Sequence, residues 1–258
     1  VPAVLSFLAA GVLSAAVALV FGYVSLRLKG PYFAIATLAL ATIGRFLFLN
    51  LEYFGGAEGL LLPMSSLNPE VEKIPYYYGS LFIAGLTVAT IYTITKRRLG
   101  LGLMAIRDDE AKAEGLGINT TRHKVIAFIV SAFFPGVVGG LYASYLEYVN
   151  PDACFNILYS ANILLMAILG GLGTIVGPVL GAAVVTALSE ILSLMIAHQA
   201  RLVIFGLIFI LLAIYLPGGL MSVGQRLGRR HLASNRALRT TAPDKPITVR
   251  IGDSYHEP

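Results

Sequence analysis

The stretch PAVLSFLAAGVLSAAVALVFGYVSL, residues 2–26, contains no charged side chain and is longer than the roughly 20 residues that a membrane-spanning helix requires. Residues 76–95 and 125–146 are also free of charge and have a similar length. Across the 258 residues, 57% are hydrophobic and only 13% are charged, which leaves too few polar side chains to cover a soluble fold. We therefore predict an all-α fold, a polytopic transmembrane helical bundle.

Hydropathy predicts about seven hydrophobic segments. They cover residues 2–26, 32–50, 76–95, 124–147, two helices within 159–197, and 201–217. The run 159–197 is too long for one span, and the glycine-rich residues 170–173, followed by Gly177-Pro178, supply a break within it. We assign residues 1–221 to a transmembrane domain. Residues 222–258 are polar and lack apolar periodicity, which predicts a flexible, basic cytoplasmic tail.

The first apolar run is not a signal peptide by its composition. It lacks a basic region before it, and it is longer than the hydrophobic core of such a peptide. The sequence opens inside this run at Val1, without an initiator Met. We therefore expect the segment to stay in the protein, and we expect further N-terminal material to precede it.

Basic residues predict the orientation, because Lys and Arg are enriched in cytoplasmic connections. Residues 96–124 contain seven of them, and the chain after Pro217 contains another seven. Residues 51–75 carry four Glu and one Lys, and 148–158 has one charged side chain, Asp152. We therefore place 96–124 and the tail in the cytoplasm of a bacterium or archaeon. Basic membrane borders, which can contact anionic lipid, also explain the net charge of +5 without a nucleic-acid partner.

The sequence contains no pattern typical of a catalytic or metal site. The ionisable residues well inside the spans are Arg45 and Glu190, and neither has a partner at helical spacing. The four His residues show no ligand spacing, and Cys154 is the single cysteine. No Gly-x-x-x-x-Gly-Lys-Ser/Thr loop is present to hold ATP phosphates. We expect no enzyme activity, cofactor or metal in this chain, and energy from another subunit or a gradient.

The connection AIRDDEAKAEGLGINTTRHK, residues 105–124, predicts a short helix over about 105–118. Acids at 108–110 crowd its first turns, where the helix dipole favours them, and Asp108 stands four residues before Lys112. Gly115 and Gly117 end it.

A helix this short is marginal by itself, and we expect it to pack on nothing in its own chain. A partner surface is therefore predicted to receive it. The next helix is expected to begin with Asn119 or Thr120 as its cap.

These residues resemble a known family, the permeases of branched-chain amino acid ABC importers, and specifically the M-type, LivM-like subunit. The resemblance is carried, in the family's order, by GYVSLRLKGPYFAIATLALATIGRFLFLN at 22–50, GGAEG at 55–59, AIRDDEAKAEGLGINTTRHKVIAF at 105–128, SAFFPGVVGGLYASYLEYVNPDACF at 131–155, LGGLGT at 169–174 and PGGL at 217–220. The segment at 105–128 is the most specific, because it resembles the coupling motif of ABC importers. The family's amino-terminal spans have no counterpart here.

The resemblance implies branched-chain or related amino acids as solutes. The partners that it implies are a second, H-type permease, two cytoplasmic ATP-binding subunits that hold ATP and Mg, and an external solute-binding protein. Urea and short-amide importer permeases resemble this family too. A gradient-driven carrier or channel and a structural membrane subunit are the rival classes.

The resemblance also implies roles for individual residues. The residues expected to couple this chain to the ATPase are Arg107, Asp109, Glu110, Ala111, Gly115 and Gly117. The residues expected at helix breaks or along the translocation pathway are Gly30, Pro31, Tyr32, Thr37, Gly170, Gly171, Gly173, Gly177 and Pro178. Glycine in membrane helices also serves close packing alone, which is the alternative role for these positions.

Overall fold

The computed structural model describes residues 3–26, 28, 30–62, 69–195, 206, 207 and 221. The helices of this part are α1 (Ala3–Ser25), α2 (Pro31–Asn50), α3 (Pro69–Lys96), α4 (Arg98–Asp108), α5 (Glu110–Gly115), α6 (Thr120–Leu146), α7 (Pro151–Cys154), α8 (Ile157–Gly170) and α9 (Gly177–Met195). Two 3-10 turns, Glu52–Phe54 and Gly56–Glu58, precede β1 (Leu60–Leu61), which pairs antiparallel with β2 (Tyr148–Val149).

Six helical stretches of the described chain are long and apolar enough to cross a membrane. They are Val4–Ser25, Pro31–Asn50, Lys73–Lys96, Thr120–Leu146, Pro151–Gly170 and Gly177–Leu194. A helix satisfies all of its backbone hydrogen bonds internally, which is the condition for crossing lipid. The predicted helical membrane fold is thus confirmed, and six of the seven predicted segments overlap these stretches. The seventh segment, 201–217, and the basic tail, 222–258, lie outside the described residues except for the isolated positions 206 and 207.

The chain divides into two compact units, residues 1–162 and residues 163–258, with the boundary inside α8. In the first unit, α6 packs closely along α1. A Cβ added at Gly136 would lie 2.5 Å from the Cβ of Ser14, and one added at Gly11 would lie 2.4 Å from Val137 Cγ2. The Ser14 hydroxyl also donates to the carbonyl of Ala132 at 2.9 Å. Small residues therefore set the distance between the two helices, as is common in membranes.

Helix α2 begins after a turn that its first residues favour. Gly30 has φ +60°, which a residue with a side chain rarely adopts, and Pro31 occupies the first helical position. Further along, Phe128 of α6 meets both α1 and α2. Its ring lies 6.3 Å from that of Phe33, edge to face, and fills the space that a side chain at Gly22 would need.

The end of the first unit where α2 ends, α3 begins and α6 ends is rich in tyrosine. The rings of Tyr76 and Tyr145 contact each other with centroids 5.9 Å apart. The Tyr148 hydroxyl donates to the carbonyl of Glu58 at 2.8 Å, beside the β1–β2 pairing. Aromatic residues of this kind favour the interface between membrane and water.

The second unit is described over residues 163–195 and at the isolated positions 206, 207 and 221. Its apolar core contains Leu165, Leu169 and Val185. Helices α8 and α9 come close where glycine permits it, because a Cβ at Gly170 would lie 2.0 Å from the carbonyl oxygen of Gly177, and one at Gly181 equally close to that of Met166.

The connection between α8 and α9 also requires glycine for its backbone. Gly171 and Gly173 have φ +115° and +82°. Thr174 stabilises the turn by donating to the Gly171 carbonyl at 2.8 Å and accepting from the Gly177 N–H at 3.1 Å. The glycines of this segment therefore allow the two helices to pack closely as well as allowing the chain to turn between them.

The spacing of α1 and α6 leads to the first prediction. Gly136→Ala should lower the stability of the isolated chain by about 1–3 kcal/mol, because the new methyl group would force α1 and α6 apart. Gly139→Ala is the matched control in the same helix, since no described atom lies within 4 Å of its added Cβ. It should be neutral, or more stable by up to about 1 kcal/mol. Thermal unfolding of both variants in detergent measures the difference, and equal midpoints would contradict the packing argument.

Candidate functional site

The connection predicted to be cytoplasmic contains α4, α5 and the start of α6. Asp109 separates α4 from α5 with an extended backbone, φ −162° and ψ 112°, and it caps α5. Its Oδ1 accepts the Lys112 N–H at 3.1 Å, and its Oδ2 lies 3.1 Å from Lys112 Nζ. The backbone N–H of Lys112, followed by its ammonium group, holds the pKa of Asp109 below its usual value. The side-chain oxygen of Asp109 thus satisfies one of the free N–H groups at the start of α5.

The end of α5 is closed by a glycine in the left-handed conformation. Gly117 has φ +82°, and its N–H donates to the carbonyl of Glu114 at 2.9 Å. The N–H of Ile118 reaches the carbonyl of Ala113 at 3.1 Å. This is the Schellman arrangement, which satisfies the last carbonyl groups of a helix and turns the chain. Gly117 thus has a local structural reason to be glycine.

Side chains on one face of α5 bind α6. Lys124 Nζ lies 2.6 Å from Glu110 Oε1 in an ion pair, and the Thr120 hydroxyl donates to Glu114 Oε1 at 2.6 Å. Ala113, which lies between the two acids on the same face, is only 1% exposed. The expectation that this helix packs on nothing in its own chain is therefore wrong.

The opposite face of α5 is open. Ala111 and Gly115, one turn apart, are exposed, and so is Gly117. Among the described residues, no heavy atom lies within 4 Å of a Cβ added at either glycine. Leu116, between them, is 80% exposed. This surface of small residues, with the projecting Leu116 and the highly exposed Lys112, is called the outer face of α5 below.

The structure corrects two details of the predicted helix at 105–118. The segment is not one helix, because α4 ends at Asp108 and α5 begins after Asp109. Asp108 does not pair with Lys112 four residues later. It lies 3.6 Å from Arg107, whereas Lys112 pairs with Asp109. Asp109 caps the start of α5, so its side chain lies nearer to Lys112 than the side chain of Asp108, which precedes the break. This explains why Lys112 pairs with Asp109.

Helix α4 is a feature that the sequence analysis missed. It begins directly after α3, and Gly100 allows it to do so, because a Cβ there would lie 2.4 Å from the Thr95 carbonyl oxygen. Gly102 packs against the ring of His123 on α6, at 2.7 Å from an added Cβ. The presence of two glycines, Gly100 and Gly102, in a charged connection was the sequence signal that could have indicated this packed helix.

The residues predicted to break helices or to line a pathway belong to both units. In the first, Tyr32 is 71% exposed at the start of α2, beside Gly30 and Pro31. The hydroxyl of Thr37 donates to the carbonyl of Ala34 in the same helix at 2.9 Å. In the second unit, Gly171 and Gly173 lie in the turn between α8 and α9. Gly170 is the last residue of α8, and Gly177 and Pro178 are the first two residues of α9. Their place along a pathway stays a prediction.

Arg45 has a partner that the sequence analysis did not find. Its Nη2 lies 2.7 Å from Asp152 Oδ1, and its Nε donates to the same oxygen at 2.8 Å. Asp152 lies in the first turn of α7, where its N–H is held by the side chain of Asn150 at 2.7 Å. The two residues are 107 positions apart, so helical spacing was the wrong criterion. Glu190, the other ionisable residue, is exposed on α9.

Comparison with known proteins identifies the family. The family described as branched-chain amino acid transport system / permease component matches residues 2–213. The chain belongs to this permease family. Its relatives include the high-affinity branched-chain amino acid transport system permease protein LivM of Salmonella typhimurium, 30% identical over 239 residues that cover 82% of this chain and 56% of the relative. The chain thus spans about half the length of that LivM protein.

Two further relatives have a lower identity to this chain. The probable branched-chain amino acid transport permease protein LivM of Methanocaldococcus jannaschii is 24% identical, with 84% of this chain and 68% of the relative covered. The autoinducer 2 import system permease protein LsrC of Yersinia enterocolitica is 26% identical, with 81% and 59% covered. No solved structure matches the chain. Family membership therefore rests on sequence over most of the chain.

The end of α5 leads to the second prediction. Gly117→Val should strain the left-handed turn by about 1–2 kcal/mol, which corresponds to roughly tenfold faster hydrogen exchange at the amides of residues 113–118. Gly115→Ala is the control, because Gly115 is helical and its added Cβ meets open space. Exchange in that variant should be unchanged or slower. Wild-type protection in Gly117→Val would show that the turn does not depend on glycine.

Proposed function

We propose that this chain is a membrane-spanning permease subunit of an ABC importer, acting in the cytoplasmic membrane of a bacterium or archaeon. Its solutes are branched-chain or related amino acids delivered by an external solute-binding protein. Its partners are a second, H-type permease and two cytoplasmic ATP-binding subunits. Family membership and the names of the LivM relatives support this assignment.

The observation that carries the proposal is the outer face of α5. A helix of six residues is too short to be stable alone, yet α5 is held in place by a cap, a closing glycine turn and contacts with α6. Its other side leaves backbone and small residues open, with Leu116 projecting. A rigid helix end with this shape suits insertion into a groove of an ATPase subunit, because the backbone can approach closely and the leucine adds apolar contact.

The acids at 108–110 do not suit a cation site. Asp108 lies beside Arg107, Asp109 beside Lys112, and Glu110 beside Lys124. Each carboxylate thus has its own cation within the chain. Docking of the helix is the better use of this segment.

The third prediction tests energy coupling. The full complex should hydrolyse ATP faster when the solute-loaded binding protein is added, and this chain purified alone should hydrolyse none, because it lacks a phosphate loop. Gly117→Val should insert at normal abundance but lose ATPase association. Glu110→Arg should insert at normal abundance but lose solute-stimulated hydrolysis with the ATPases still bound. Comparing leucine, urea and short amides as ligands of the binding protein identifies the solute.

Two results would contradict this proposal. Uptake into liposomes by this chain alone, without ATP, would make it a gradient-driven carrier. Wild-type uptake by both variants at equal expression would show that α5 is only a solvated segment of the connection.

The fourth prediction tests the orientation. Cys154 is free and exposed at the end of α7, in a segment predicted to face outward. An impermeant thiol reagent should label it in intact spheroplasts. Thr121→Cys, at the start of α6, should be labelled only after the membrane is opened, in a chain whose Cys154 has been replaced by Ser. The reverse pattern of labelling would mean that the orientation is inverted.

A further inference from the structure

We propose that Glu110 is a positioning residue that fastens α5 to α6 through Lys124, and that it does not dock on the ATPase. This inference rests on the proposed coupling role of α5 and assigns its acids and its outer face to separate tasks. The acids Glu110 and Glu114 hold the helix within its own chain. The outer face of α5, with Ala111, Gly115 and Leu116, is left for the partner.

The ion pair between Glu110 and Lys124 differs from the other three in the described chain. Its N–O distance is 2.6 Å, and its side chains are 32% and 26% exposed. The pairs of Arg45, Arg107 and Lys112 have cationic side chains exposed by 42%, 67% and 83%. An ion pair that is partly withdrawn from water is less screened and more costly to break on one side only. Glu110 is therefore engaged inside the protein.

A second contact also holds α5 against α6. Thr120 is 3% exposed, and its hydroxyl donates to Glu114. Glu110 and Glu114 are one turn apart on α5, and Thr120 and Lys124 are one turn apart on α6. The two helices are thus joined by matching faces at two points, and Ala113 is buried on the same face of α5. Contacts at two successive turns resist rotation as well as separation.

The fastening determines which span receives a movement of α5. Lys124 and Thr120 are in the first turns of α6, and farther along α6 packs closely on α1 through Gly136 and Ser14. Displacement of α5 by a partner would therefore move α6, and α1 with it. Breaking the fastening should leave ATPase binding through the outer face of α5 but uncouple hydrolysis from transport.

The fifth prediction is a charge exchange in the full complex. Glu110→Lys and Lys124→Glu should each reduce solute uptake per ATP hydrolysed by about tenfold, and each should speed amide exchange in α5. The double variant Glu110→Lys, Lys124→Glu should recover uptake to within about threefold of wild type, because the pair is restored with its charges reversed. Arg122→Met is the control, since Arg122 lies in the same turn of α6 as Lys124 but is exposed, and it should change uptake by less than about twofold.

Neutral variants guard against a failure of the reversed pair to fold. In the double variant Glu110→Gln, Lys124→Met, solute uptake per ATP hydrolysed should fall no further than in either single variant. This is expected when both residues act through one contact. Three results would overturn the proposal and place Glu110 on the partner. They are additive losses of uptake in the neutral double variant, wild-type uptake in Lys124→Glu, and uptake in the charge-exchange double variant that is no better than in Glu110→Lys. Hydrogen exchange of the full chain in detergent tests the fastening even if no ATPase binds, so the two proposals can fail separately.

Discussion

The close contact of α1 and α6 is the constraint on which the rest of the first unit depends. Gly136 and Gly11 admit no side chain, and Ser14 adds a hydrogen bond to the α6 backbone. In lipid, apolar side chains gain little from leaving the solvent, so close van der Waals contact has to hold helices together. Because α6 is fixed to α1, it provides a firm support for α5 at one end and for the β2 strand at the other.

The spans were predictable because the membrane imposes a strong and local rule. A long apolar run with few or no charges favours a helix in lipid, and the described bounds of α1, α2, α6 and α9 lie close to the predicted ones. Helix α4 was not predictable in this way. Gly100 and Gly102 lower helix propensity, and they are explained only by the Thr95 carbonyl and the His123 ring that they approach. Such contacts depend on how the chain folds back, which no window of sequence contains.

In the candidate site, too, local features were predictable from the sequence and contacts between distant residues were not. The closing turn at Gly117 was predictable, because a left-handed residue at a helix end is a local requirement. The pairing of Glu110 with Lys124 spans 14 residues and depends on that turn bringing α5 back along α6. Asp108 misled the prediction because an i, i+4 rule holds only inside one helix, and the extended Asp109 ends that helix first. Rules based on spacing therefore failed where the backbone changes direction.

The placement of charge along α6 and its neighbours follows from the cost of removing ions from water. In the middle of α6, contacts with α1 use glycine, serine and apolar side chains. Ion pairs are found towards the ends instead, Glu110 with Lys124 at one and Arg45 with Asp152 near the other.

An arginine inside a span is expensive unless it is paired or reaches water. Arg45, five residues before the end of α2, meets the first condition through its ion pair with Asp152. Because α7 carries Asp152 and follows β2 in the chain, this ion pair also holds the segment after α6 to the end of α2. The two ends of the first unit are thus fastened by charge, and the region between them is fastened by packing.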